Sequence, residues 1–287
     1  MIYLATPIWR YYDVRAAHSM ASAIAMNDTE EPVLWETIDG DALIERSRSI
    51  LATKFHDGIK HPVTGEVADI MVILDDDVQF DPRDLWKIVR QAREKQEPVG
   101  GVYVTRSRKP HVASRLLPDQ PFVFGKPETV EVEYLATGFM AIPRVCIQKA
   151  VEVGLGEGFE TRLHGQRDYL DLCELGVGEY PCYDLFGTFK IDDRVKPGKV
   201  HRLSEDWALC ERLRQCGFRI WADQSIILSH RAYVSITAYD LPDASDGASM
   251  LSEEGAPAQA SSILVVDDRP AVAEMGSEAK ALQGVTS

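Results

Sequence analysis

The sequence holds no apolar run approaching the ~20 residues that a membrane-spanning helix needs. Its opening, MIYLATPIWRYYD, lacks a basic leader followed by a long apolar core, so it reads as a first β-strand and not as a signal peptide. Cysteine is sparse. The five present (Cys146, Cys173, Cys182, Cys210 and Cys216) are odd in number and form no CxxC pair. That argues against a disulfide framework or a structural zinc site and points to a reducing cytosol. Basic residues are outnumbered, 31 Lys and Arg against 45 Asp and Glu, for a net charge of −14. A protein that tracks phosphate backbones needs a basic surface, and no basic stripe is present, so long nucleic acid is not an expected partner. A nucleotide needs only one or two well-placed cations and stays open. Repeats at solenoid or propeller spacing are also missing.

What remains is an ordinary globular composition, 45% hydrophobic and 26% charged over 287 residues. That length suffices for one large domain or two modest ones. The first third alternates strand and helix signals. IYLATPI, PVLWETI and ADIMVIL read as strands; Val14 to Ala25, the segment DALIERSRSILATKF and about Pro82 to Glu97 read as helices. GGVYVT follows as another strand. This βαβα order predicts a parallel sheet with crossover helices. The middle is more mixed: TVEVEYLATG and FMAI read as strands around Gly138, and RVCIQKAVEV as a short helix. Ser204 has the look of an N-cap before an amphipathic helix that stops at Gly217. FRIWAD and SIILSH read as closing strands. The expected division is a folded domain over 1–236 and a C-terminal extension over 237–287, rich in Ala, Ser, Gly, Pro and Glu. Within that extension, SSILVVDDRPAVAEM resembles the first strand and acidic turn of a receiver domain, and ILVVDD is the piece expected to dock.

The strongest chemical signal is ILDDDVQFDP. Three aspartates at the carboxyl end of a buried strand are costly unless something compensates their charge. Ligands of open α/β sheets bind at that edge. On a continuing strand Asp75 and Asp77 would point one way and Asp76 the other. A hard divalent cation carrying phosphate oxygens is one compensation; a polar turn that caps the strand and starts a helix is the other. Glu205 and Asp206 fall in a first helical turn, where the macrodipole favours carboxylates for structural reasons alone; an ionised one also suits a general base. His230 ends an apolar strand, as a structural residue or a metal ligand. Arg48 borders the apolar stripe of its helix and Arg46 points more to solvent; either is suited to bidentate phosphate contact. Gly138 allows a ligand close to the backbone or marks a bulge.

Taken in order, these segments resemble the GT-A fold of family 2-like glycosyltransferases over roughly residues 1–233. ATP after the first strand resembles the nucleoside-holding loop, and SRSILATKF resembles an Arg-Asn segment. ILDDDVQFDP is similar to the family's DxD strand and YLATGFMAIPRVC to its Gly-Thr-Gly-Phe segment. SEDWALCERLRQCGFRIWAD resembles the Glu-Asp motif and its helix, and ILSH the terminal histidine. Ser49 stands where the family has Asn, and Ala136 where it has the first Gly. The resemblance implies a GT-A, Rossmann-like, mostly parallel sheet flanked by helices. It also implies transfer of a sugar from a nucleotide diphosphate donor, a UDP-sugar first, to a carbohydrate or other acceptor hydroxyl. Mn²⁺ or Mg²⁺ would be held by Asp77, Asp75 and His230, and Thr6, Pro7, Arg48, Asp75, Asp76 and Gly138 would line the donor. Asp206 would be the base of an inverting displacement, with Glu205 orienting acceptor or metal-bound water. Two other readings stay open. A sugar-phosphate nucleotidyltransferase would carry a Gly-rich loop after the first strand, where this chain has TPIWRYYDV. A non-catalytic nucleotide- or sugar-binding protein is the second.

Overall fold

The computed structural model describes residues 1–27, 30–105, 111–118, 120–154, 158–160, 181–192, 198–230 and 264–265. The predicted alternation is realised from the N-terminus. Strand β1 (Ile2–Ile8) leads into helix α1 (Val14–Ala25) and β2 (Val33–Asp39). Helix α2 (Ile44–His56), β3 (Ile70–Leu74), β4 (Val78–Gln79), α3 (Pro82–Lys95) and β5 (Val99–Val102) follow. Asp13 caps α1 by accepting from the backbone N–H of Arg15 and Ala16, and Asp81 caps α3 ahead of its N-terminal proline, as those residue types favour.

The second half adds β6 (Arg115–Leu116), β7 (Val123–Phe124), β8 (Thr129–Tyr134), β9 (Phe139–Pro143) and α4 (Arg144–Glu152). Short strands β10 (Gly158–Glu160), β11 (Pro181–Tyr183), β12 (Lys190–Asp192) and β13 (Val200–Arg202) precede α5 (Glu205–Gln215). Strands β14 (Ile220–Ile227), β15 (Ser229–His230) and β16 (Leu264–Val265) complete the described elements. FRIWAD and SIILSH are thus largely one strand, with a register shift between Ala222 and Ile227 where it borders β5. Ser204 precedes α5, but its hydroxyl makes no cap hydrogen bond. Gly217, at φ +92°, ends the turn beyond that helix, in a conformation that costs glycine little.

The main sheet has the order β2-β1-β3-β9-β5-β14-β8-β6. Strands β2, β1, β3, β5, β14 and β6 run one way, while β9 and β8 oppose them. It is a mostly parallel mixed α/β sheet. Alternate residues of β1 feed two cores: Tyr3 and Ala5 pack with α2, α4 and α5, and Ile2 and Leu4 with α1 and α3. Residues on both faces of β3 and β9 are buried, which explains their continuous apolar runs. Antiparallel β9 enters between β3 and β5 with Phe139 opposite Leu74. The turn before β9 therefore lies at the carboxyl edge of β3. Beyond His230, β16 pairs in parallel with β7; the other residues of the C-terminal extension lie outside the described set, as does Cys173.

Candidate functional site

Charge gathers at the carboxyl edge of the sheet. Helix α2 turns Ser47, Arg48, Ser49, Leu51, Ala52 and Phe55 inward, and Arg48 is only 2% exposed. Three carboxylates from two other segments compensate its burial. Arg48 Nη2 donates to Asp75 Oδ1 at 2.6 Å, while Nη1 donates to Asp206 Oδ1 at 2.5 Å and to Glu205 Oε1 at 3.2 Å. Burial works to lower the guanidinium pKa, but Asp75, Asp206 and Glu205 outweigh it and raise it above its ordinary value. Arg48 is neither a solvated helix charge nor placed as a free phosphate ligand. Both of its Nη groups are committed, and Nε is buried without a partner among the described residues.

Asp75 and Glu205 are left under-neutralised. Burial pushes the Asp75 carboxyl above its usual range; Arg48 opposes this, and Asp206 and Asp77 add to it. Glu205 is likewise raised by burial and then by Asp206, against the pull of Arg48. Asp206 Oδ1 also accepts from the Thr137 hydroxyl. Thr137 is fully buried in the turn between β8 and β9. Sequence reasoning missed this residue; its place in YLATGF, beside Gly138, was the available signal.

The three aspartates do not continue β3 with strand alternation. They form a turn, held by Asp75 N–H donating to Gly138 O at 3.0 Å and by Asp13 N–H donating to Asp76 O at 2.8 Å. Asp75 consequently faces Arg48, whereas Asp77 faces His230, whose Nε2 lies 3.4 Å from Asp77 Oδ1. The register explains that meeting: β15 pairs with β4, with His230 opposite Val78. His230 Nδ1 lies 3.0 Å from Val104 O. A carbonyl can only accept, so Nδ1 carries hydrogen and the ring is oriented as metal-binding imidazoles commonly are. The Tyr103 ring packs edge-on against His230 at 4.9 Å. Its hydroxyl accepts from Gly138 N at 3.3 Å, and burial, with Asp75 and Asp206, holds the phenol well above its ordinary pKa.

Asp75 is tied to Arg48, apart from the contact between Asp77 and His230. Its Oδ1 is taken by Arg48, and its Oδ2 sits where a Cβ on residue 138 would come within 2.4 Å. Among the described residues no group of three or more His, Cys, Asp or Glu is arranged to hold a metal ion. A hard cation that keeps water and takes substrate phosphate oxygens needs only one or two protein groups. The Asp77–His230 pair fits such a cation; among the described residues an all-protein three-ligand site is not assembled.

Other expected residues are placed differently. Thr6 is fully buried and accepts from Trp35 Nε1 at 3.1 Å. Tyr12 also bonds Thr6, and burial holds its phenol far above the ordinary value. Thr6 therefore braces an edge-on Tyr12–Trp35 pair, 5.8 Å between centroids; Pro7 beside it is buried too. Those two rings are a feature that motif reading did not reveal. Arg46 serves the start of α2, paired through Nε and Nη2 with Asp41 at 2.9 and 2.6 Å. Ser49 accepts from the backbone N–H of Phe186 at 3.1 Å.

Among the described residues no helix is long and apolar enough to cross a membrane. No family model matches the sequence, and no curated protein matches it. Among the solved structures that are similar in part are two. One is the crystal structure of A197 from STIV, at TM-score 0.45 and 15% identity, covering 81% of this chain and 87% of that one. The other is GalNAc-T7 with UDP, GalNAc and Mn²⁺, at TM-score 0.44 and 10% identity, covering 80% of this chain and 44% of that one. Both superpose only partially, and neither bears on any individual residue of the site.

Proposed function

We propose that the protein is a GT-A glycosyltransferase that moves a sugar from a nucleoside diphosphate donor, a UDP-sugar first, to an acceptor hydroxyl with inversion. One observation carries this: a buried arginine joins the aspartate turn to the first turn of α5, bringing Asp75, Glu205 and Asp206 onto one guanidinium at the sheet's carboxyl edge. Sequence order alone places Asp75 and Asp206 far apart, and a helix start with merely capping carboxylates needs no such partner.

Asp77 and His230 would hold a divalent cation, Mn²⁺ or Mg²⁺, which when bound offsets charge on the leaving diphosphate. Asp206 takes the acceptor's proton as the hydroxyl attacks the anomeric carbon. Glu205, next to it, orients the acceptor or a bound water. Arg48 keeps the carboxylates together and is their internal counter-ion. Gly138 leaves room for Asp75. Residues 1–236 carry the transferase and 237–287 are an extension to it. The β1–α1 segment TPIWRYYDV has no glycine-rich phosphate loop, which favours transfer of sugar over transfer of a nucleotidyl group.

Two variants separate chemistry from binding. Asp206→Asn keeps shape but cannot accept a proton, so turnover should fall by about 10²–10⁴-fold with UDP affinity little changed. Asp77→Asn should weaken UDP and Mn²⁺ binding together. Steady-state kinetics and calorimetry read both. An Asp206→Asn enzyme with wild-type turnover overturns the assignment of the base, and the product's anomeric configuration decides inversion.

A further inference from the structure

The geometry points to Thr137 as a positioning residue that selects which oxygen of Asp206 receives the acceptor's proton. This rests on Asp206 being the base of the proposed transfer. Thr137 Oγ1 and Arg48 Nη1 reach Asp206 from two different elements, and both donate to the same atom, Oδ1. Oδ2 accepts no hydrogen bond among the described residues, nor is it one of the buried atoms left without a partner. The Asp206 side chain keeps 17% of its exposure, so Oδ2 is the oxygen open to an incoming molecule.

The terminal torsion of an aspartate is broad and two-fold, so an unrestrained carboxylate interchanges its oxygens and samples many orientations. A single donor leaves rotation about that contact. Two donors converging on one oxygen from α2 and from the β8–β9 turn fix the plane as well. The charged and titratable groups facing Asp206 are Arg48 from α2, Asp75 after β3, Tyr103 after β5, and Glu205 and Cys210 on α5 itself. Of these, Arg48 alone donates to its carboxylate, and Thr137 is the sole neutral donor to that oxygen among the described residues. In the step so arranged, the acceptor O–H bond breaks and its proton goes to Oδ2. The oxygen's electron pair forms the new bond to the anomeric carbon, and the old carbon–oxygen pair leaves with the diphosphate.

The test uses the full chain and hydrolysis of UDP-glucose, UDP-galactose and UDP-N-acetylglucosamine in Mn²⁺, with water standing in for the acceptor. Thr137→Val removes the hydroxyl at constant shape and should lower kcat by about 10–100-fold, with KM and UDP affinity unchanged. Thr137→Ser restores the donor and should return kcat to within about threefold of wild type. Added to Asp206→Asn, Thr137→Val should cost no more than about twofold, because two residues acting through one group are not additive. Full kcat in Thr137→Val beside an impaired Asp206→Asn overturns the role of Thr137 alone. Wild-type kcat in Asp206→Asn, or no turnover of any donor by the wild-type chain, overturns the underlying reading and the proposal with it. A raised KM at constant kcat makes Thr137 a substrate contact and overturns the proposal. Thr137→Ala is a second hydroxyl-free variant. If both it and Thr137→Val fail to fold while Thr137→Ser folds, the hydroxyl is structural and the proposal fails.

Discussion

A single hydrogen at position 138 separates the backbone from the charged turn. A Cβ placed there would lie 2.4 Å from Asp75 Oδ2 and 2.7 Å from Tyr103 Oη. The first is a short carboxylate already tied to Arg48, so it cannot give way without breaking that pair. Gly138→Ala should leave the two cores intact but displace Asp75, and misplacement of about 1 Å in a catalytic array can cost about 10²-fold in rate. Kinetics and thermal unfolding on the same variant check this; unchanged turnover would show that Asp75 has room to shift. At this scale residue types were legible and partnerships were not. Arg48 could be picked out as the arginine bordering an apolar stripe, but its partners stand 27, 157 and 158 positions away. No local pattern encodes such distances. Thr137 and Tyr103 were passed over for the same reason, since an isolated hydroxyl carries no signal until the fold brings a carboxylate to it.

Elements were more legible, because a helix or strand that buries one face must repeat its apolar residues at a fixed period. Helices α1 to α5 and strands β1, β2, β3 and β5 lie close to the segments so read. What periodicity does not record is direction. FMAIP is apolar throughout, as a buried parallel strand would be, yet β9 runs antiparallel between β3 and β5; burial on both faces sets that composition whichever way the strand runs. The aspartate turn misled for a related reason, since alternation was extended past Leu74, where the strand ends. Helix α3 shows how an element's start can store an electrostatic cost. Lys87 is committed to Asp223 at 2.7 Å, and Asp223 is held below its ordinary value, burial being outweighed by bonds from Lys87, Ser225 and Gln91. Asp84, one turn earlier, is pushed up to about 6 by burial and then by Asp81, with Lys87 only partly opposing. A raised carboxyl binds more protons folded than unfolded, so stability is lost as pH climbs from about 4 through about 6. Asp84→Asn should therefore stabilise the fold at pH 7 by about 1 kcal/mol, after discounts for solvent screening and the lost helix-start charge. The gain should vanish below about pH 4, where the wild-type carboxyl is neutral in both states. Denaturant unfolding at pH 7 and pH 4 reads both values; an equal gain at the two pH values would assign it to packing.

For the whole molecule, the decisive feature is an acidic edge on an acidic protein. The chain carries −14 overall, and at the carboxyl edge Asp75, Glu205 and Asp206 face one buried arginine while Asp77 faces His230. The proposed nucleoside diphosphate would bring further negative charge to that edge. Two unit charges about 4 Å apart interact by about 4 kcal/mol at an effective dielectric of about 20, so even one uncompensated contact outweighs much of a micromolar affinity. Arg48 cannot supply the missing charge, because its Nη groups are already engaged. In the proposed reading Asp77 and His230, which face each other apart from that arginine, would recruit the cation. UDP should consequently bind at least about 10²-fold more weakly in EDTA than in Mn²⁺. Asp77→Asn in Mn²⁺ should recover only part of the EDTA deficit, since it removes one repulsive charge together with one ligand. Raising ionic strength should weaken the longer-range part of the repulsion and narrow the gap between EDTA and Mn²⁺, as exposed charges more than about 8 Å apart are largely screened at 0.15 M salt. Calorimetric titration of UDP, with ADP and GDP alongside, under these five conditions measures every term. Equal affinity for UDP in EDTA and in Mn²⁺ would remove the cation from the site and leave Asp77 and His230 as an ordinary acid–imidazole contact beside it.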